Sequence, residues 1–180
     1  MKIILPSLLN NLKKKILRLM GDSIVTYGEF ELVSRDYLTG EITKSLIVRN
    51  KIVATGIGIF PRLITGSITN VSQMTINYCG IGTGETAPAS GDTELETEGF
   101  RKAVSSSNHT ADTATYSTYL THLEGNMIIN EVGMFINGSN SADSGTLFSR
   151  ISTENGQLPY TKDDTETLTI NYRVVFSETE

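Results

Sequence analysis

The chain of 180 residues has a single cysteine, Cys79, which excludes an internal disulfide and any zinc site built from several cysteines. A lone thiol fits assembly in a reducing cytoplasm, and Cys79 reads as a small buried hydrophobe. No apolar run is long enough and free enough of charge to span a bilayer. The N-terminus does not read as a secretory leader either, because Asn10, Asn11, Lys13, Lys14 and Lys15 fall where the apolar stretch of one would lie.

Signatures of catalysis are also missing. The run Gly80-Ile81-Gly82-Thr83-Gly84 is followed by Glu85, where a nucleotide-binding loop needs a lysine to meet the phosphates. No Gly-x-Ser-x-Gly elbow marks a nucleophile, and no acid pair suggests glycan cleavage. His109 and His122 have no neighbours at ligand spacing. The sequence therefore suggests no catalytic, metal-binding or cofactor-binding residue, and a protein that is not an enzyme.

What is present is an uneven distribution of charge. Five of the fifteen basic residues, Lys2, Lys13, Lys14, Lys15 and Arg18, lie in the first 20 positions with no acid among them. The remaining ten face twenty acids, so residues 21–180 carry a net charge of −10. An acidic body opposes duplex binding, where phosphate contacts supply most of the affinity. Within the basic segment Leu5, Leu8, Leu9, Leu12, Ile16, Leu19 and Met20 recur at helical spacing and Gly21 is a natural stop, which predicts a short amphipathic helix. Three destinations are open to its apolar stripe: the chain's own body, a neighbouring subunit or partner, and a membrane surface, the last disfavoured. Residues 1–21 are expected to be an anchor that docks on another chain through Leu5, Leu8, Leu12, Ile16 and Leu19, flanked by Lys13, Lys14 and Lys15.

From residue 22 to residue 180 the pattern turns to alternation, the period of strands. Phe30 to Tyr37 and Ile42 to Val48, joined through Leu38-Thr39-Gly40-Glu41, predict a hairpin. Residues 50–66 suit a short helix or a buried strand, with Gly56, Gly58 and Pro61 against a long helix. Further strands are expected over Ser67 to Tyr78, Ala111 to Leu123, Met127 to Ile136 and Thr146 to Ile151. In the last one, Leu168, Ile170, Tyr172, Val174 and Phe176 alternate with Thr167, Thr169, Asn171, Arg173 and Val175. Seven or eight strands with regular turn signals predict a mainly β protein, an antiparallel β-sandwich or barrel-like domain.

Two local groups have more than one reading. Gly80, Gly82 and Gly84 are expected to permit positive φ and close backbone approach where a strand leaves the sheet, with Pro88 stiffening the loop that follows. Asp92, Glu94, Glu96 and Glu98 share one parity. In an extended chain they form an acidic row that is either a solvated face or a hard-cation site; in a helix starting at Asp92 they favour its positive end, and Glu98 and Arg101 become a pair on one helical face.

The ordered set Gly80-Ile81-Gly82-Thr83-Gly84-Glu85-Thr86-Ala87-Pro88, Asp92-Thr93-Glu94-Leu95 with Glu98 and Arg101, Glu131-Val132-Gly133-Met134-Phe135, Gly145-Thr146-Leu147-Phe148-Ser149-Arg150, Thr161-Lys162-Asp163-Asp164-Thr165 and the strand Leu168 to Phe176 resembles a family of structural proteins in the virions of tailed bacteriophages and related archaeal viruses. The likeness covers roughly residues 29–177 and resides in the order of the motifs. It departs at Asn50-Lys51-Ile52-Val53, with lysine at a usually apolar position, and at Phe60-Pro61-Arg62. The resemblance implies a non-enzymatic part of a tail, baseplate, fibre attachment or capsid turret. Such a protein is assembled in the host cytoplasm into a symmetric homo-oligomer and binds other tail, baseplate, portal-neck or capsid proteins. The alternative is a receptor- or carbohydrate-binding module presenting Tyr116, Tyr119 and the Asn137–Gly145 loop. No cofactor and no nucleic acid are expected.

Overall fold

The computed structural model describes residues 24–153 and 158–178. The expected N-terminal helix, with its stripe Leu5, Leu8, Leu12, Ile16 and Leu19 and its lysines, lies outside the described residues. The longest pairing joins β1 (Ile24–Asp36) to β12 (Glu166–Glu178) antiparallel, from Ile24 opposite Glu178 to Asp36 opposite Glu166. Around this pair a five-stranded sheet forms in the order β2-β1-β12-β7-β6, where β2 is Ile42–Arg49, β6 is Ser106–His109 and β7 is Thr113–Leu120. A second sheet runs β3-β10-β9-β4-β5, from β3 (Lys51–Ile52), β4 (Ile76–Gly82), β5 (Glu98–Ala103), β9 (Glu131–Ile136) and β10 (Thr146–Ser152). A short ribbon pairs β8 (Met127–Ile129) with β11 (Tyr160–Lys162).

The sandwich follows from alternation. In β12, Leu168, Ile170, Tyr172 and Val174 are buried and share one core with Phe30 and Leu32 of β1, Cys79 and Ile81 of β4, and Val132, Met134 and Ile136 of β9. Tyr172 joins the layers: its ring lies 4.7 Å from Phe30 in its own sheet and meets Phe148 of the other sheet edge-on at 6.2 Å. Burial pushes its phenol pKa well above the usual value. The β1–β2 hairpin forms as expected; Asp36 accepts from the backbone N–H groups of Leu38 and Thr39, and Gly40 adopts a φ of 75° that closes the turn.

Several segments differ from expectation. Residues 67–75 are not strand; a 3-10 turn occupies Val71–Met74 and the strand begins only at Ile76. Met127 to Ile136 breaks at Asn130, so that β8 joins the ribbon while β9 enters the second sheet. The asparagine is held there by its own bonds, its N–H donating to the Gly82 carbonyl and its amide to the Thr83 carbonyl. The serine-rich stretch around His109, for which no strand is expected from the sequence, forms β6, paired with β7. Residues 50–66 form β3 and two short helices, α1 (Ala54–Ile57) and α2 (Ile59–Ile64), with Gly56 lying so close to β10 that an added Cβ would sit 2.4 Å from the Phe148 carbonyl oxygen.

Neighbouring positions on β12 separate the two faces experimentally. Tyr172→Ala is expected to cost about 3–5 kcal/mol, as large aromatic truncations in cores do, and Asn171→Ala, which loses an amide bond to Glu31 on the solvent face, about 0.5 kcal/mol. Urea unfolding of the two variants is the check; equal losses contradict the face assignment.

Candidate functional site

Strand β9 is buried along its entire length, which a sandwich strand with one solvated face would not be. Val132, Met134 and Ile136 point into the main core, and Glu131, Gly133 and Phe135 alternate with them toward the other face of the second sheet. That face is covered by residues 83–97, the loop that leaves β4 and returns as β5. Leu95 anchors it in a small second core with Val53, Phe135 and Leu147. The leucine fits because two paired residues beneath it, Gly80 and Gly133, lack side chains: a Cβ on either would lie 3.1 or 2.8 Å from a Leu95 methyl.

Beside this apolar plug sits a buried carboxylate. Glu131 has no exposed surface, and its oxygens accept from the backbone N–H groups of Gly84 at 3.1 Å, Glu96 at 3.0 Å and Thr97 at 2.7 Å. Arg150 of β10, also buried, donates to it from Nε at 2.9 Å, and its Nη2 lies in ionic contact at the same distance. Arg150 reaches on to Asp92 at 2.8 Å and to the Thr86 hydroxyl, and Glu96 lies 3.7 Å away. A charge out of water is tolerated only when paired and hydrogen-bonded, and here both conditions hold. Hydrogen bonds from the N–H and hydroxyl of Thr86, with Arg150 close by, hold the Glu96 carboxyl below its usual range.

The glycines therefore act as expected in one respect and not in the other. None of Gly80, Gly82 and Gly84 adopts a positive φ among the described residues; they are needed for close approach. A Cβ on Gly82 would lie 2.3 Å from the Thr97 carbonyl oxygen and 2.6 Å from Glu131, and one on Gly84 would lie 2.5 Å from Glu131. Pro88, half-buried, lies in the same irregular loop.

Glu98 and Arg101 do pair, but on a strand. No helix starts at Asp92; both residues belong to β5, where the register slips between Ile81 and Gly82 of the partner strand. The contact is bidentate, 2.5 and 2.6 Å, with both side chains nearly fully buried. Arg101 lies over the Phe135 ring at 4.4 Å and donates to the Ser139 and Ser144 carbonyls, clamping the Asn137–Gly145 loop. Three of the four acids in the row are thus divided between two arginines, Asp92 and Glu96 on Arg150 and Glu98 on Arg101, while Glu94 is exposed. Among the described residues no group of three His, Cys, Asp or Glu is placed to hold a metal ion.

The remaining candidates are scattered. His122 stacks on Tyr37 at 4.5 Å. Cys79 is buried, its thiol pushed up to about 12 by desolvation. Lys162 is buried in the ribbon, donates to Asn126 at 2.6 Å, and has its pKa lowered by burial. Glu85 accepts from Asn130. Tyr116 turns inward to stack on Tyr172, whereas Tyr119 is exposed. Beside the first sheet lies a trough of about 480 Å3 with a mixed lining that includes Glu29, Ile47, Tyr116, Asn171, Tyr172 and Arg173, with Glu29 and Arg173 paired at 3.0 Å.

Comparison of the chain with protein-family models, curated proteins and solved structures returned no match.

Two arginines on strands, each paired with a glutamate, distinguish a lock from a surface contact. Arg150→Ala is expected to cost about 3–5 kcal/mol because it strands a buried carboxylate, and Arg173→Ala, nearly half exposed, less than about 1 kcal/mol. Chemical denaturation of both variants measures the difference, and comparable small losses contradict the lock.

Proposed function

We propose that the chain is a non-enzymatic structural protein of a tailed virus particle, a component of a tail, baseplate, fibre attachment or capsid turret that assembles symmetrically and joins other virion proteins. The observation that carries this reading is the ordered motif set, together with what its residues do. Gly80, Gly82, Gly84, Asp92, Leu95, Glu98, Arg101, Glu131, Gly133, Phe135, Leu147 and Arg150 all meet in the loop lock and its neighbouring clamp. Their polar groups are occupied with one another and with backbone amides, which is the use a scaffold makes of such residues. A folded module that keeps its loops fixed under the load of an assembly gains from this arrangement.

A receptor- or carbohydrate-binding module is the second reading, favoured by the trough beside the first sheet. Its expected aromatic platform is divided, since Tyr116 is among the residues that line the trough and Tyr119 is not.

Purified particles of the encoding virus decide between these readings. Quantitative mass spectrometry and density from intact particles should find this chain at a copy number that matches a ring or fibre symmetry. Its absence from particles, or binding to a defined oligosaccharide abolished by Asn171→Ala with Arg173→Ala in a chain that is never packaged, contradicts the proposal.

A further inference from the structure

The excursion between β3 and β4, residues 54–74, has a single charged residue, Arg62, yet it lies on the surface. Ile57, Phe60, Leu63, Ile64 and Val71 are all exposed there, Ile64 by 84% and Val71 by 77%. α2 buries Ile59 against the body and leaves Leu63 and Ile64 exposed. A shallow cavity of about 150 Å3 opens beside them, lined by Ile59, Phe60, Met74, Ile76, Val174 and Phe176. Scattered exposed hydrophobes are ordinary; five within fifteen residues of a nearly uncharged segment mark a surface that something covers.

Where the chain enters β1 points to the occupant. Phe60 packs edge-on against Phe176 at 5.3 Å, and Phe176 is the β12 partner of Thr26. The N-terminal segment is therefore tethered beside this patch. β2 does not pair with β1 before Glu29, so residues 24–27 form an arm paired only with β12, which delivers the segment at the outer end of a two-stranded ribbon. The segment has five apolar residues in one stripe, from Leu5 to Leu19, a run of about 21 Å if helical. Residues 1–20 also carry +5 against bodies of −10 that repel one another, and so supply the charge needed to bring a second body close.

We propose that the apolar patch of residues 57–71 receives the N-terminal segment, residues 5–20, of a second copy of this chain, with Leu8, Leu12, Ile16 and Leu19 entering beside Phe60, Leu63 and Ile64. The contact is heterologous: each copy offers its segment to one neighbour and its patch to another, and such contacts close into rings when the rotation permits. This deepens the assembly reading and rests on its self-association, not on which part of the particle the chain occupies.

Complementation between two full-length variants tests it. Leu12→Asp with Ile16→Asp breaks the segment and leaves the patch; Leu63→Gln with Ile64→Lys breaks the patch and leaves the segment. Light scattering on the native chain should show an oligomer. Each variant alone should be a monomer with native circular dichroism, and a mixture of the two should form a one-to-one complex, because one intact segment and one intact patch remain. No complex on mixing, or an oligomer that survives both pairs of substitutions, overturns the proposal; in the latter case self-assembly stands and this contact does not. A monomeric native chain overturns it too: if both variants then unfold at equally lowered temperature, the segment covers its own patch, and if the native chain binds anionic vesicles through the segment, the occupant is a membrane surface. The virion reading is decided separately, by the content of particles.

Discussion

A carboxylate without exposed surface, Glu131, sits where the second sheet, the loop of residues 83–97 and strand β10 meet, and much of the molecule is arranged around keeping that charge satisfied. Removing a carboxylate from water costs several kcal/mol, offset here by one arginine and three backbone N–H groups that come from two separate stretches of the loop. Those amides can approach only because Gly82 and Gly84 carry no Cβ. The same requirement extends outward: Arg150 must itself be paired, which draws Asp92 into place, and Asp92 in turn accepts from the Ala89 N–H and shapes the loop.

The consequence is a third layer. Most antiparallel sandwiches leave the outer face of each sheet to water, but here the outer face of the second sheet holds an apolar plug, Leu95 over Gly80 and Gly133, flanked by two arginine clamps. The first sheet keeps a polar outer face instead, with charges that pair across strands, such as Glu29 with Arg173. The two faces are therefore suited to different tasks. One is internal structure over its central strands, and the other, together with the apolar excursion at residues 54–74, is surface.

The strands that were legible in the sequence are those with one buried and one solvated face: β12, β7 and the β1–β2 hairpin each alternate, because each faces water on one side. Where burial is two-sided or a break is made by a polar residue, alternation fails as a guide. The interruption at Asn130 depends on bonds to Gly82 and Thr83, some 47 residues away in sequence for the Thr83 contact, which no local pattern displays. Spacing placed Glu98 beside Arg101 correctly but for a helical reason, whereas the pair forms on an irregular strand. Glu131 and Arg150 stood in the quoted motifs without an assigned role. Their partnership is visible only when β9 and β10 are aligned, Arg150 opposite Gly133, which lies two residues along β9 from Glu131 and on the same face. The glycine cluster hinted at it, since three glycines before an acid-rich loop signal close approach by something large.

Amide hydrogen exchange reports on the lock directly. If Glu131 holds the loop, the N–H groups of Gly84, Glu96 and Thr97 in the native protein exchange as slowly as those of β9, although they lie outside any strand. In Glu131→Gln they should lose that protection selectively, while the amides of β1 and β12 remain protected. Rapid exchange of these three amides in the native protein, or protection that is unchanged by the substitution, would mean that the loop is held by something else.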